Sequence, residues 1–329
     1  MRAFRYERPT TLAAAIRVHA EGDALLKANG LDVLDRMKER VDEPVRVVTL
    51  SDVPGLDGIE MAADGTLHVG AMASLAAVAA SKEVRDACPA LAEAAEQAAS
   101  PQLRNRATVG GNLCQHTRCG YYRMKSFPCF KRGDPACPVL APGAVQETAG
   151  IFGIGACACA HPSSLAPAVG AVGGVVVVQG PKGERKLSLA ELYEPPQQGK
   201  ASDTTLVPGE IIVRIEIPAL VRGPGHQAYY EVRQRAAFDW ALVSCAVSFV
   251  GGEQGVQEAR VWLGSVSPSP IRSEAAEKAL VGKPFSEALA VAAGDAAVTG
   301  STPLPGTLYK TELVKVAVRR ALLAAWGRK

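Results

Sequence analysis

The chain has 329 residues, 48% of them hydrophobic, enough to bury at least one large core and long enough to favour two domains. Its 36 lysines and arginines against 33 acidic residues leave a net charge of +3, spread without a basic block, which excludes the electrostatic footprint of a nucleic-acid binder. No stretch reaches the roughly 18 uncharged apolar residues of a membrane span, and the opening MRAFRYERPTTL lacks the apolar core of a secretory signal.

Thr10 and Thr11 are good N-cap types, and the apolar residues from Leu12 to Ala20 predict a helix that Gly22 stops. A short strand at Ala24 to Lys27, a turn at Ala28-Asn29-Gly30, a helix from Leu31 to Arg40 and a strand from Arg46 to Leu50 follow. Gly58 to Met61 and Thr66 to Gly70 flank Asp64-Gly65, a pair that a tight hairpin turn prefers because it tolerates positive φ. Ser74 caps a helix through Ala80, and the alanine-rich Pro89 to Ala98 forms another. Leu165 to Val178 is too short and too rich in Gly and Pro to span a membrane. It is read as a buried helix turning into a strand over Val175 to Gln179. Ile211 to Ile217 closes this region, and Pro218 to Gly225 marks a domain boundary. Beyond it, Ala228 to Arg235, Leu242 to Val250 and Ala259 to Val266 read as strands. Ser273 to Leu280, Phe285 to Ala293 and Tyr309 to Trp326 read as helices, an α+β arrangement.

Six of the eight cysteines fall between Cys114 and Cys159. In a chain that can build its own core and lacks a signal peptide, such crowding favours a metal or cluster site over a disulfide framework. Cys88 and Cys245 lie in apolar surroundings and read as packed thiols. Thiolates are soft, charged donors suited to iron. Cys119, Cys129, Cys137 and Cys157 are separated by nine, seven and nineteen residues, so any site here is built by a folded loop. A structural zinc site ordinarily shows C-x2-C to C-x4-C knuckles, which are missing. Spacing alone leaves cluster, zinc and unligated thiols open, and does not choose four ligands among six cysteines. Arg118, Arg123, Lys125, Lys131 and Arg132 are expected to set positive charge against the thiolates.

Two short loops are candidates for receiving phosphate. Lys27-Ala28-Asn29-Gly30-Leu31-Asp32 joins a strand to a helix, where backbone N–H groups can cradle an anion. In Ala107-Thr108-Val109-Gly110-Gly111-Asn112, two glycines permit close approach while Thr and Asn offer hydrogen bonds. Neither matches a Rossmann or P-loop spacing, and each is weak alone, a single Gly in a strand-to-helix turn being more often simple turn chemistry.

In order along the chain, MRAFRYERPTTLAAAI, ANGLDVLDRMKERV, LHVGAMASLAAVA, QLRNRATVGGNL, YYEVRQRAAFDWALVSCAV and YKTELVKVAVRRAL resemble segments of the medium, FAD-binding subunits of the xanthine dehydrogenase family of molybdenum hydroxylases. The run TRCGYYRMKSFPCFKRGDPACP, then ACACAHPSS, is similar to the 4Fe-4S loop of the periplasmic aldehyde oxidoreductases within that family. The resemblance implies an α+β fold: a vanillyl-alcohol-oxidase (PCMH)-type FAD-binding domain over 1–222, with subdomains at about 1–55 and 56–222 and an insertion at about 113–160. A C-terminal α+β domain of the CO dehydrogenase flavoprotein type, a three-stranded sheet with helices, would follow over 223–329. It implies FAD contacts from Lys27, Ala28, Asn29, Gly30, Leu31, Asp32, Val33, Thr108, Gly110, Gly111, Asn112, Ser163, Ser164 and Glu231. It implies a 4Fe-4S cluster on Cys119, Cys129, Cys137 and Cys157, with Cys114 and Cys159 as bystanders.

The same resemblance implies a division of labour. A large partner subunit holds the molybdenum-pterin cofactor and oxidises the substrate, a small partner holds two 2Fe-2S clusters, and this chain passes electrons through FAD to an external acceptor. An aldehyde-oxidising complex is the first expectation. A 4-hydroxybenzoyl-CoA reductase-type complex, or a scaffold subunit that has lost FAD, are the alternatives. The chain is expected in the cytoplasm, or in the periplasm if a signal-bearing partner carries it across. It departs from the family pattern at Asn29, where Gly is usual, at Leu31 for Thr, at Ser164 for Asp and at Glu231 for Lys. The last reverses a charge near the flavin.

Overall fold

The structure, a computed structural model, describes residues 1–219, 225–236 and 238–327. The expected boundary after residue 222 lies outside the described residues.

The chain opens with β1 (Arg5–Glu7), β2 (Ala24–Lys27) and β3 (Arg46–Thr49), which form a parallel sheet in the order β1-β3-β2. Parallel neighbours need crossover connections, and the helices Leu12–Ala20 and Leu31–Lys38 supply them. Thr11 accepts from the Ala14 N–H at 3.2 Å, the expected cap. β1 and its place on the sheet edge were not foreseen, because three residues of alternating charge carry no strand pattern.

A second, antiparallel sheet holds β4 (Ile59–Met61), β5 (Leu67–Gly70), β6 (Val175–Gly180), β7 (Gly183–Ser188) and β8 (Ile211–Ile217) in the order β4-β5-β8-β6-β7. The expected β4–β5 hairpin is present, but it turns through three residues, closed between Ala62 and Thr66. Gly65 alone takes positive φ, 83°, while Asp64 accepts from the Thr66 N–H at 2.8 Å. Helices Leu75–Ala80, Pro89–Gln97 and Leu165–Ala171 cover this sheet, and the last turns into β6 as expected. The core between them is built of Val69, Leu75, Leu91, Val169, Val176 and Ile215.

The C-terminal sheet contains β9 (Gly225–Val232), β10 (Val243–Gly252), β11 (Gly255–Gly264) and β12 (Ile271–Arg272), ordered β12-β11-β10-β9. The three expected strands form its body, and the two-residue β12 extends its edge. Helices Glu274–Leu280, Glu287–Ala296 and Tyr309–Trp326 lie on it. The last buries Val314, Ala317, Val318, Ala321, Leu322 and Ala325, the three- and four-residue spacing of one helical face. Burying each Val or Leu of that face contributes about 1.5–3 kcal/mol.

Between these sheets runs the cysteine-rich insertion, with only short helical turns such as Gly120–Arg123. Its backbone is nevertheless anchored. Ile151 and Phe152 N–H both donate to Val266 O, His161 N–H donates to Ser267 O at 2.9 Å, and Tyr309 Oη donates to Glu147 O at 2.6 Å.

A cavity between two glycine loops and the cysteine insertion

β2 ends at Lys27, and the chain turns through Gly30 at φ 87° into the helix Leu31–Lys38. A Cβ at Gly30 would meet Leu34 and Lys27 side-chain carbons at 3.0 Å, so both φ and space demand glycine. No side chain caps that helix, which leaves first-turn N–H groups available to a ligand. The second loop begins the short helix Val109–Leu113, with Thr108 Oγ1 accepting from Gly111 N–H at 3.1 Å. A Cβ on Gly111 would stand 2.8 Å from that oxygen and 4.0 Å from Ala28 Cβ, so the two loops face each other closely.

They enclose one side of a cavity of about 700 Å³. Ala28, Asn29, Gly30, Leu31, Asp32, Val33, Thr108, Gly110, Gly111, Asn112, Ser164 and Glu231 line it. Lys27 and Ser163 do not. The Lys27 ammonium is drawn to Tyr6 Oη and Ala28 O, 3.3 Å each, and Ser163 Oγ donates at 2.6 Å to Asn112 Oδ1. Both expected contacts therefore stand behind the wall as supports. Asn112 Oδ1 also accepts from Leu165 N–H at 3.1 Å, fixing the second loop to the helix behind it.

Glu231 reaches the cavity from β9. Tyr229 Oη donates to it at 2.7 Å and Arg233 Nε pairs with it at 3.0 Å, so the charge reversal is largely neutralised within the protein. Burial raises its carboxyl above the usual range.

Arg118 and His116 of the insertion and Trp240 of the C-terminal domain also line the cavity and escaped the sequence reading. Trp240 stands in the quoted AFDWA segment, and Arg118 was assigned to the thiolates instead. That assignment is corrected: all five expected counter-charges have protein partners. Arg118 and Arg123 bind Asp32, and Arg123 also reaches Asp35 at 3.1 Å. Lys125 pairs with Glu43, Lys131 with Asp203, and Arg132 donates to the carbonyls of Tyr121, Tyr122 and Phe127. Asp32 receives Arg36 and the His116 N–H as well. Burial alone would raise the Asp32 carboxyl, but Arg118, Arg36 and Arg123 outweigh it and hold it well below the usual carboxylate range.

The eight cysteines are unpaired by disulfides. Among the described residues no group of three His, Cys, Asp or Glu side chains is set out to hold a metal ion. The expected ligands nonetheless share one region. Cys137, Cys157 and Cys159 form a buried cluster against which Cys119 packs, and Cys119 lies within electrostatic reach of Cys129 and Cys137. Cys137 neighbours Cys157, and Cys157 neighbours Cys159, closely enough that each pair raises a thiol of the pair. Proximity therefore does not separate Cys159 from the four. Cys114 is apart from them: it lines the cavity, and burial pushes its thiol up to about 12.

Residues 2–220 match the FAD binding domain in molybdopterin dehydrogenase, and residues 228–325 match the CO dehydrogenase flavoprotein C-terminal domain. The chain belongs to this family. It is 36% identical to the aldehyde oxidoreductase FAD-binding subunit PaoB of Escherichia coli over 85% of this chain and 86% of that one. It is 30% identical to the carbon monoxide dehydrogenase medium chain of Hydrogenophaga pseudoflava, covering 99% and 98%. A solved carbon monoxide dehydrogenase from the same organism, lacking the Mo-pyranopterin moiety of its cofactor, superposes with a TM-score of 0.77 at 30% identity, covering 100% and 98% of the two chains. No helix among the described residues is long and apolar enough to cross a membrane.

Proposed function

We propose that this chain is the FAD-carrying electron-transfer subunit of a heteromeric molybdenum hydroxylase that oxidises aldehydes, and that its insertion holds a 4Fe-4S cluster. The observation that carries the reading is the cavity, which two facing glycine loops line together, so close that a side chain on Gly111 would come within 4.0 Å of Ala28, and which the insertion walls on another side. The donor set fits FAD: uncapped N–H groups at a helix start suit a diphosphate, and apolar Leu25, Leu26, Met72 and Leu103 suit the rings. FAD, when bound, accepts electrons singly from iron-sulfur centres and releases them in pairs.

This chain's own residues bind and orient. The turn Asn29-Gly30 and the first turn of its helix receive the diphosphate, Gly110 and Gly111 admit the cofactor to the backbone, and Asn112 holds the second loop in place. Glu231, joined to Tyr229 and Arg233, presents a largely neutralised carboxyl to the cavity. Cys119, Cys129, Cys137 and Cys157 are the cluster ligands. Cys137 and Cys157 in one buried cluster, Cys119 packed against it and Cys129 within electrostatic reach of Cys119 fit a cluster, which is bulkier than one ion and needs no single-ion arrangement. Substrate oxidation belongs to a large molybdenum-pterin subunit, two 2Fe-2S clusters to a small one, and an external acceptor takes the electrons. The aldehyde-oxidoreductase relative supports the substrate class.

The test is acid release from the purified complex. Yellow flavin of FAD size together with iron beyond the small subunit's share supports the reading. Absence of flavin overturns it, and absence of the extra iron removes the cluster.

A further inference from the structure

We propose that Arg118 is a positioning residue for FAD. Its guanidinium faces the anionic diphosphate beside the Asn29-Gly30 turn, and it thereby makes retention of the cofactor depend on the fold of the insertion. The proposal rests on reading the cavity as the FAD site.

Four observations place it. Arg118 lines the cavity from the insertion. It is bonded to Asp32 in the first turn of the helix that follows Gly30, and its second terminal nitrogen donates to Gln115 Oε1 at 3.0 Å. The guanidinium lies over the Trp240 ring, 4.2 Å from the centroid, so a residue of the C-terminal domain holds it by a cation–π contact. Its Nε is buried with no hydrogen-bond partner among the described residues. A guanidinium offers five N–H donors, and only two of the three nitrogens have protein acceptors here, so donors remain for an anion.

The neighbours do not replace it. Leu31, at the helix start, exposes an aliphatic chain that can donate nothing. Arg36 is almost wholly buried and divided between Asp32 and Asp42, and Arg123 does not reach the cavity wall. Arg106 and Arg235 reach it but are exposed to water, which competes for them. Arg118 keeps about a fifth of its side chain open, 22%, between the two extremes. A largely desolvated planar cation with spare donors is suited to a diphosphate.

The full chain, co-expressed with its partner subunits, is stripped of FAD and titrated back by flavin fluorescence, with iron measured alongside. Arg118→Met is expected to weaken FAD binding at least roughly tenfold. Arg123→Met, which removes a neighbouring Asp32 pair from the same insertion, is expected to stay within about twofold. Arg118→Lys keeps the charge but loses the fork, and is expected to remain about threefold or more weaker than the unaltered chain. Equal weakening by the two methionine variants shows that Arg118 acts only by anchoring the insertion, as Arg123 does through Asp32 and the His116 and Thr117 carbonyls, and sinks the proposal. So does full affinity in Arg118→Met, or in Arg118→Lys should the methionine variant not fold. If the unaltered chain takes up no FAD, the reading of the cavity fails first, and this inference with it.

Discussion

Lys131 and Asp203 form an ion pair sealed from water on both sides, their side chains 0% and 2% exposed, and it fastens the insertion to the segment ahead of β8. Burial raises the Asp203 carboxyl, and its Oδ2 has no hydrogen-bond partner among the described residues. Removing one member of such a pair strands a buried charge. Lys131→Met should therefore destabilise the chain by about 3–5 kcal/mol, and Lys131→Met with Asp203→Leu should recover most of that loss. Urea unfolding of the single and double variants checks it; an additive double variant contradicts it.

His161 gives the fold a defined acid limit. Burial first, then Lys131 and Arg118, lower its imidazole to about 3 from an ordinary 6.5. A lowered pKa means that the unfolded chain takes up the proton before the native one does. The stabilisation is thus complete above pH 6.5 and is lost as pH falls toward 3. Over that window it amounts to something on the order of 3–5 kcal/mol. Melting temperature measured from pH 7 to pH 4 should fall, and His161→Gln should flatten the slope. An unchanged slope counts against His161 as the cause.

Gly111 lines the cavity from the second glycine loop. Gly111→Ala places a methyl 2.8 Å from Thr108 Oγ1 and toward Ala28 across the cavity. FAD retained after gel filtration should drop, while the melting temperature of the flavin-free chain changes by no more than the loss of one helix cap, about 1 kcal/mol. Undiminished flavin would remove this loop from the site.

Iron content should separate the cysteines. Cys129→Ser is expected to lower iron per chain, whereas Cys159→Ser retains it, even though Cys159 neighbours Cys157 in the same buried cluster. Iron analysis with thiol counting on the denatured protein decides it. Equal loss in both variants would make Cys159 a ligand.

Much of this fold was legible because its signals are local. Thr11 caps its helix as its residue type predicts, Tyr309–Trp326 matches its expected limits, and β6 follows its buried helix. What escaped depends on partners distant in sequence. β1 exists because Arg5 to Glu7 pair with Arg46 to Val48, and β7 because it pairs with β6; neither shows its own pattern. At the site, the glycine loops were visible from composition. The destination of Arg118 was not, because 86 residues separate it from Asp32. A run of cations beside cysteines reads as countercharge until the carboxylates that claim them are placed in space.

The anchoring of the insertion changes what kind of object it is. From its length and lack of regular structure it would pass for a loop that could be trimmed away. Yet it answers carbonyls of Val266 and Ser267 just past β11, a carboxylate of the first sheet's helix and the buried Asp203. It is a keystone, and excising it would leave three separate edges of the molecule unmet.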